Sequence, residues 1–234
     1  LRLVTILKPK IIRKPFSWLA KTILPFTKRD FLDRYVNFLE ITANKTQEDT
    51  FKTVQSYYPH NTQFIILPMD MEFMNAGSVK EKYEIQLKKL LKLKNKYPNQ
   101  ILPFVGADPR RKNVFDIVKE YINDHSFLGV KIYPALGYYP NDKNLEKVYE
   151  FAQEKNIPIL SHCSRGGVYT KKILPEMLKH PIKGTLPKTK PKLFSDNFTD
   201  PLNYIPILEK YPNLKICLAH FGGNDEWDAY LEKA

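Results

Sequence analysis

From about residue 60 onward the chain alternates two hydrophobic patterns. Short unbroken apolar runs come first, as in Phe64-Ile65-Ile66-Leu67, the pattern of a strand buried on both faces. Longer stretches follow in which apolar residues recur at helical spacing: Val79, Tyr83, Leu87, Leu90 and Leu91, with lysines on the opposite face. Tyr97-Pro98-Asn99 stops that helix. Ile101-Leu102-Pro103-Phe104-Val105 is the next strand, with Pro103 out of place because it cannot donate to a ladder. A helix from about Asn113 to Asn123 leads into Gly129-Val130-Lys131-Ile132-Tyr133. Asn141 or Asp142 can cap a helix with Leu145, Val148, Tyr149 and Ala152 on one face. Asn156 and Pro158 end it before Ile159-Leu160-Ser161-His162. After a long insertion, Asp200-Pro201 opens a helix in the favoured order of cap then proline, and Tyr211-Pro212-Asn213 closes it. Leu214 to Ala219 is a fifth strand, and Asp225 to Lys233 a last helix.

Strand starts near 64, 101, 129, 158 and 214 lie 37, 28, 29 and 56 residues apart. The first three intervals suit single βα units, and the last suits one unit plus an insertion. Regular alternation of this kind predicts a parallel sheet with right-handed crossovers, as a closed barrel or an open doubly wound sheet. No G-x-G-x-x-G follows the first strand, which weighs against a dinucleotide-binding sheet.

Composition narrows the class. With 234 residues, 43% hydrophobic, the chain can bury one sizeable core, and a charged fraction of 26% argues against disorder. No run approaches the roughly 18 apolar residues of a membrane span, and no secretory leader pattern opens the sequence. Two cysteines, Cys163 and Cys217, exclude a disulfide scaffold and read as core residues; a reducing, cytoplasmic setting is expected. The net charge of +12 is uneven. Residues 1–29 carry eight Lys/Arg and no acid, and residues 165–200 carry eight against three acids. The remaining 21 basic and 22 acidic side chains nearly cancel.

In a parallel barrel, reactive side chains sit where strands end and βα loops begin. Those positions hold Asp70, Asp108, Lys131 with Tyr133, His162 and His220. One histidine there reads as a hydrogen-bonded core residue. Two on consecutive strand ends point instead to a metal or catalytic site, because neutral imidazole ligates zinc and similar Lewis-acidic ions. His60, His125 and His180 lie in turns or loops.

Five motifs occur in order: Leu67-Pro68-Met69-Asp70-Met71-Glu72, Gly106-Ala107-Asp108-Pro109-Arg110, Gly129-Val130-Lys131-Ile132-Tyr133-Pro134, Ile159-Leu160-Ser161-His162-Cys163 and Leu218-Ala219-His220-Phe221-Gly222-Gly223. Together they resemble the amidohydrolase-related branch of the amidohydrolase superfamily. That branch includes lactonases, other hydrolases and non-oxidative decarboxylases built on a (β/α)8 barrel. The resemblance covers about residues 60–234 and implies an α/β fold of TIM-barrel type, of which strands 2 to 6 can be placed. Residues 1–58 resemble the segment that follows strand 1. The chain is accordingly read as one barrel domain over 1–234, incomplete at both ends, with basic insertions at 1–29 and 165–200.

The family pattern has a His-x-His pair on strand 1, histidines on strands 5 and 6, and an aspartate on strand 8. The resemblance makes His162 the strand-5 metal ligand. It makes His220 the strand-6 histidine, which completes the metal site or polarises the substrate. No His-x-His occurs in this sequence. The implied cofactor is a divalent metal, zinc before others. In some branches a strand-4 lysine is carboxylated and bridges two metals; the branch resembled here uses one, so Lys131 is expected to keep its ammonium. Its partner would be a carboxylate such as Asp70 or Asp108, or the substrate.

Arg110, Arg111 and Arg165 fall in βα loops on the catalytic face, and both basic insertions would border it. That charge favours a small carboxylate- or phosphate-bearing substrate, with Lys131, Arg110 and Arg165 its expected contacts. The expected reaction is metal-dependent hydrolysis of a C–N or C–O acyl bond. Non-oxidative decarboxylation uses the same ligands and is the alternative. A third reading, an inactive barrel that binds membranes or polyanions, draws on the apolar–basic mixture of residues 1–29. Pro9, Pro15 and Pro25 argue against one long interfacial helix there, so a membrane surface is disfavoured. No aromatic–basic platform for nucleic acid is evident. A homodimer is an allowed assembly.

Overall fold

The five apolar runs become five short strands, and each of them pairs in parallel with the next in sequence order. The computed structural model describes residues 46–74, 77–164 and 196–232, together with Ile41, Asn44 and Pro175. These fall into two compact units divided after Thr62. In the first, α1 (Gln47–Gln55) starts where the Thr46 hydroxyl accepts the Asp49 N–H, and it buries Phe51. Most of residues 1–29 and 165–200, with Arg165 and His180, lies outside the described residues.

In the second unit the strands are β1 (Phe64–Ile66), β2 (Ile101–Gly106), β3 (Gly129–Ile132), β4 (Ile159–His162) and β5 (Ile216–Ala219). Between them run α2 (Tyr83–Lys96), α3 (Val114–Asn123), α4 (Glu146–Glu154), α5 (Asp196–Thr199) and α6 (Ile205–Lys210), and α7 (Gly223–Leu231) follows. This is part of a (β/α) barrel. Among the described residues no helix is long and apolar enough to cross a membrane.

Register decides which side chains share a face. Lys131 pairs with Leu160, Leu160 with Cys217, and His162 with Ala219. Alternation along each strand then sets Lys131, Leu160, His162, Cys217 and Ala219 on one face. Val130, Ile132, Ile159 and Ser161, on the other face, are wholly buried beneath the helices. Behind β4 the Ser161 and Tyr204 hydroxyls hydrogen-bond each other, and the Cys163 thiol donates to the Thr199 carbonyl at 3.2 Å.

Several expectations shift by a few residues, each with a cause. Val79 precedes α2, whose Tyr83 N–H is capped from a distance by the Glu72 carboxylate at 2.7 Å. Leu93 joins Tyr83, Leu87 and Leu90 in the core instead. Asp142 and Asp200 do cap, but what they cap are 3-10 turns, Lys143–Leu145 and Pro201–Tyr204, that lead into α4 and α6. Helix α7 begins at Gly223, two residues early, because a left-handed turn delivers the chain there. Cys217 is not a core residue: it is exposed, since its register puts it on the open strand face away from the helices. Pro103 is tolerated because its carbonyl accepts from Leu128 N–H at 2.9 Å, so its nitrogen faces the turn before β3. The ladder there begins only at Phe104 and Gly129, and no acceptor is wasted. Gly129 is itself required, since a Cβ would lie 2.4 Å from the Phe104 ring that crosses it.

Candidate active site

His162 is the last residue of β4, and His220 follows β5 immediately. Their rings meet edge to face, 5.0 Å between centroids at 65°. Two backbone bonds fix this approach: Cys163 N–H donates to the Ala219 carbonyl at 3.0 Å, and Gly222 N–H to the Cys163 carbonyl at 2.8 Å. The two strand ends are thus stitched together on both sides of the histidine pair. The stitch requires a sharp reversal. His220, Phe221, Gly222 and Gly223 have φ of 70°, 39°, 83° and 67°, four consecutive left-handed residues. Histidine enters that region more readily than most side chains, whereas phenylalanine does so at a cost of roughly 1–3 kcal/mol. Gly222 has no substitute, because a Cβ there would sit 2.7 Å from the Glu226 carbonyl oxygen.

His162 is 8% exposed, and among the described residues its buried Nε2 has no hydrogen-bond partner. The ring does hydrogen-bond the backbone at Ser164, which leaves Nδ1 as the bonded nitrogen. One face stacks on Tyr133, 4.4 Å between centroids and 24° between planes. Burial, then the charge of Lys131 and the neighbouring His220, pulls the His162 pKa down to about 4. The side chain is therefore a neutral imidazole with an unused Nε2 lone pair, held by its other nitrogen. That is the form and the support a metal-ligating histidine takes.

Lys131 is 5% exposed, with Nζ 5.2 Å from the centre of the Tyr133 ring. Burial lowers its pKa to about 8, so it is still mostly ammonium at neutral pH. The carboxylates expected to neutralise it are taken. Asp70 pairs with Arg111 at 2.6 Å and Asp108 with Arg110 at 2.6 Å, and among the described residues Lys131 has no carboxylate partner. Side-chain reach explains the outcome: Arg110 shares a loop with Asp108, and Arg111 reaches from that loop to Asp70 in the one after β1, while Lys131 lies within β3.

Arg110, expected at the substrate, is committed to the protein. Its guanidinium clasps both Asp108 oxygens, at 2.8 and 2.6 Å, and donates to the carbonyls of Phe73 at 2.9 Å and Leu136 at 3.3 Å. Arg111, read only as a loop residue, joins Asp70, Glu72 and Glu84 at 2.6, 2.8 and 3.5 Å. Sequence reasoning placed Tyr133 at the end of β3 beside Lys131 but gave it no role, and it passed over Tyr138 altogether. Tyr138 gave no signal: its buried hydroxyl accepts from Tyr133 N–H at 2.6 Å and donates to the Ala107 carbonyl at 3.1 Å, joining the ends of β2 and β3. His125 is remote and rests against Glu120 at 3.3 Å.

Residues 58–234 match the family model described as Amidohydrolase. The chain belongs to the amidohydrolase family. Solved structures agree on the fold. A 5-carboxyvanillate decarboxylase from Novosphingobium aromaticivorans, with bound manganese and 3-methoxy-4-hydroxy-5-nitrobenzoic acid, is 18% identical with a TM-score of 0.50. The match covers 74% of this chain and 49% of that one. A 2,6-dihydroxybenzoate decarboxylase from Rhizobium is 15% identical with a TM-score of 0.50, over 76% of this chain and 57% of its own. A 2,6-dihydroxybenzoate decarboxylase complexed with 2,6-dihydroxybenzoate is 16% identical with a TM-score of 0.51, over 78% and 58%. This amidohydrolase chain therefore spans between 49% and 58% of the length of these structures. No curated protein matches it.

The residues present fit a divalent ion in part. His162 offers an orphaned, supported Nε2, and the His220 ring stands beside it. Among the described residues no group of three His, Cys, Asp or Glu is gathered to hold a metal. A catalytic zinc takes three protein ligands, and the described residues bring together two imidazoles, one donor short of that set.

Proposed function

We propose that this amidohydrolase acts on a small carboxylate-bearing substrate with the help of a divalent metal. His162 and His220 hold the ion, and Lys131 meets the substrate's anionic group. The observation that carries this reading is Lys131, a buried ammonium without a carboxylate partner among the described residues, beside an imidazole whose Nε2 is unused. A buried, unpaired charge is costly, and an arriving anion relieves that cost. The ion, when bound, supplies Lewis acidity and activates water near neutral pH. Lys131 orients the carboxylate, the Tyr133 ring walls the site, and His220 polarises the reacting group or completes the ion's ligands. Arg165, outside the described residues, is proposed as a second anion contact. Arg110 is not, given its guanidinium bonds to Asp108 and to the carbonyls of Phe73, Leu136 and Gly137.

Hydrolysis of a C–N or C–O acyl bond is one reading of the reaction. Non-oxidative decarboxylation of an aromatic acid is the second, favoured by the decarboxylases among the structural neighbours and by the flat Tyr133–His162 wall. Zinc suits imidazole donors; manganese, held by one neighbour, is the other candidate. The test takes the full-length protein, reconstituted with each metal, against aromatic acids with CO2 release as the readout, and against acyl amides and lactones. Lys131→Met should raise KM for carboxylate substrates at least tenfold and leave metal content unchanged. Equal KM for acids and neutral analogues in both proteins would remove Lys131 from substrate recognition.

A further inference from the structure

The stacking of Tyr133 on His162 carries an inference that rests on the metal reading above. An imidazole at a strand end can turn about its two side-chain torsions, and a ligand must present one nitrogen in one direction. Tyr133 restricts that freedom. Its ring lies 4.4 Å from the His162 ring and 24° from parallel, so rotation of the imidazole plane would lose the stack. His162 is held on its other sides by the Ser164 backbone and by the His220 ring at 5.0 Å.

Tyr133 is itself fixed. Its peptide N–H donates at 2.6 Å to the hydroxyl of Tyr138, which donates onward to the Ala107 carbonyl at 3.1 Å. Tyr138 is 5% exposed, and Arg110 lies over its ring at 5.3 Å. Tyr138 therefore anchors Tyr133 to the end of β2, and Tyr133 presses on the histidine that ends β4. The chain of contacts spans three strand ends. The bond made by the Tyr133 backbone survives any substitution at 133 except proline, so the side chain can be tested alone.

We propose that Tyr133 is the positioning residue for His162, and that its ring face, not its hydroxyl, holds Nε2 toward the site. Two substitutions separate ring from hydroxyl. Tyr133→Phe keeps the stacking face, and Tyr133→Leu removes it. The first readout is the affinity of the full-length protein for Zn²⁺ and for Mn²⁺, measured by competition with a chromophoric chelator. Removing a residue that orients a ligand weakens metal binding by about 10- to 100-fold. Tyr133→Phe should stay within about twofold of wild type, and Tyr133→Leu should fall in that range.

The second readout is the nitrogen-15 NMR spectrum of the metal-free imidazole. Wild type and Tyr133→Phe should show a single tautomer for His162, protonated at Nδ1, whereas Tyr133→Leu should show a mixture. If Tyr133→Leu does not fold, Tyr133→Asn makes the same truncation at a half-buried position that tolerates a polar group. Equal metal affinity across wild type, Phe and the truncated variant would overturn the proposal. If wild type takes up neither ion, the metal reading fails by itself. The NMR comparison then decides the role of Tyr133: an unchanged tautomer in the truncated variant overturns it, and a mixture sustains it.

Discussion

At His162 burial has a direct chemical consequence. In an unfolded chain its pKa is near 6.5, and in the fold burial and the neighbouring Lys131 and His220 lower it to about 4. The folded state thus binds fewer protons between those values, and stability rises with pH across the window. Above about pH 6.5 the imidazole is neutral in both states and costs nothing. Below about pH 4 both states are charged, and the penalty for burying the cation is complete, about 3 kcal/mol for a gap of this size. Urea unfolding of the metal-free protein at pH 7 and pH 4 should therefore show His162→Gln losing about 3 kcal/mol less than wild type. An equal loss in both would mean that the buried imidazole does not resist protonation. The strand-end position of His162 was legible in the sequence, because an apolar run ending in histidine is unusual. Its support was not: the stack on Tyr133 depends on register between β3 and β4, and the Tyr138 anchor on a loop path that no periodicity encodes.

At the scale of elements, the turn after β5 does the most with the fewest residues. It reverses the chain, starts α7 and sends Gly222 N–H back to Cys163. Gly222→Ala would place a Cβ 2.7 Å from the Glu226 carbonyl at a φ of +83°. A cost of about 1–3 kcal/mol is expected from the backbone alone. Thermal unfolding should register it, and the loss of the stitch should lower turnover further than the stability change explains. A variant with wild-type melting and turnover would show that the turn relaxes freely. Strands and helices here were largely readable, since continuous apolar runs and amphipathic stretches differ in period. Helix starts were less so. The cap of α2 comes from Glu72, eleven residues away along the chain, which no local signal marks.

Over the whole molecule, positive charge is concentrated where the scaffold is not. The chain carries +12, yet outside residues 1–29 and 165–200 acids and bases nearly cancel. If those segments border the site, anionic substrates are steered and neutral ones are not. Catalytic efficiency of the full-length enzyme toward carboxylates should fall several-fold between low and moderate salt, with neutral analogues barely affected. An equal response would leave the basic segments without that role.

The strand order has a consequence for biosynthesis. Because every strand pairs with the one before it, a ribosome can release the sheet one βα unit at a time, each docking on an edge already formed. The interval of 57 residues between the starts of β4 at Ile159 and β5 at Ile216 interrupts that rhythm. At about 5–20 residues per second the nascent chain spends several seconds with β4 in place and β5 still unsynthesised. During that pause His162 has emerged without its companion, so the histidine pair forms only once β5 follows.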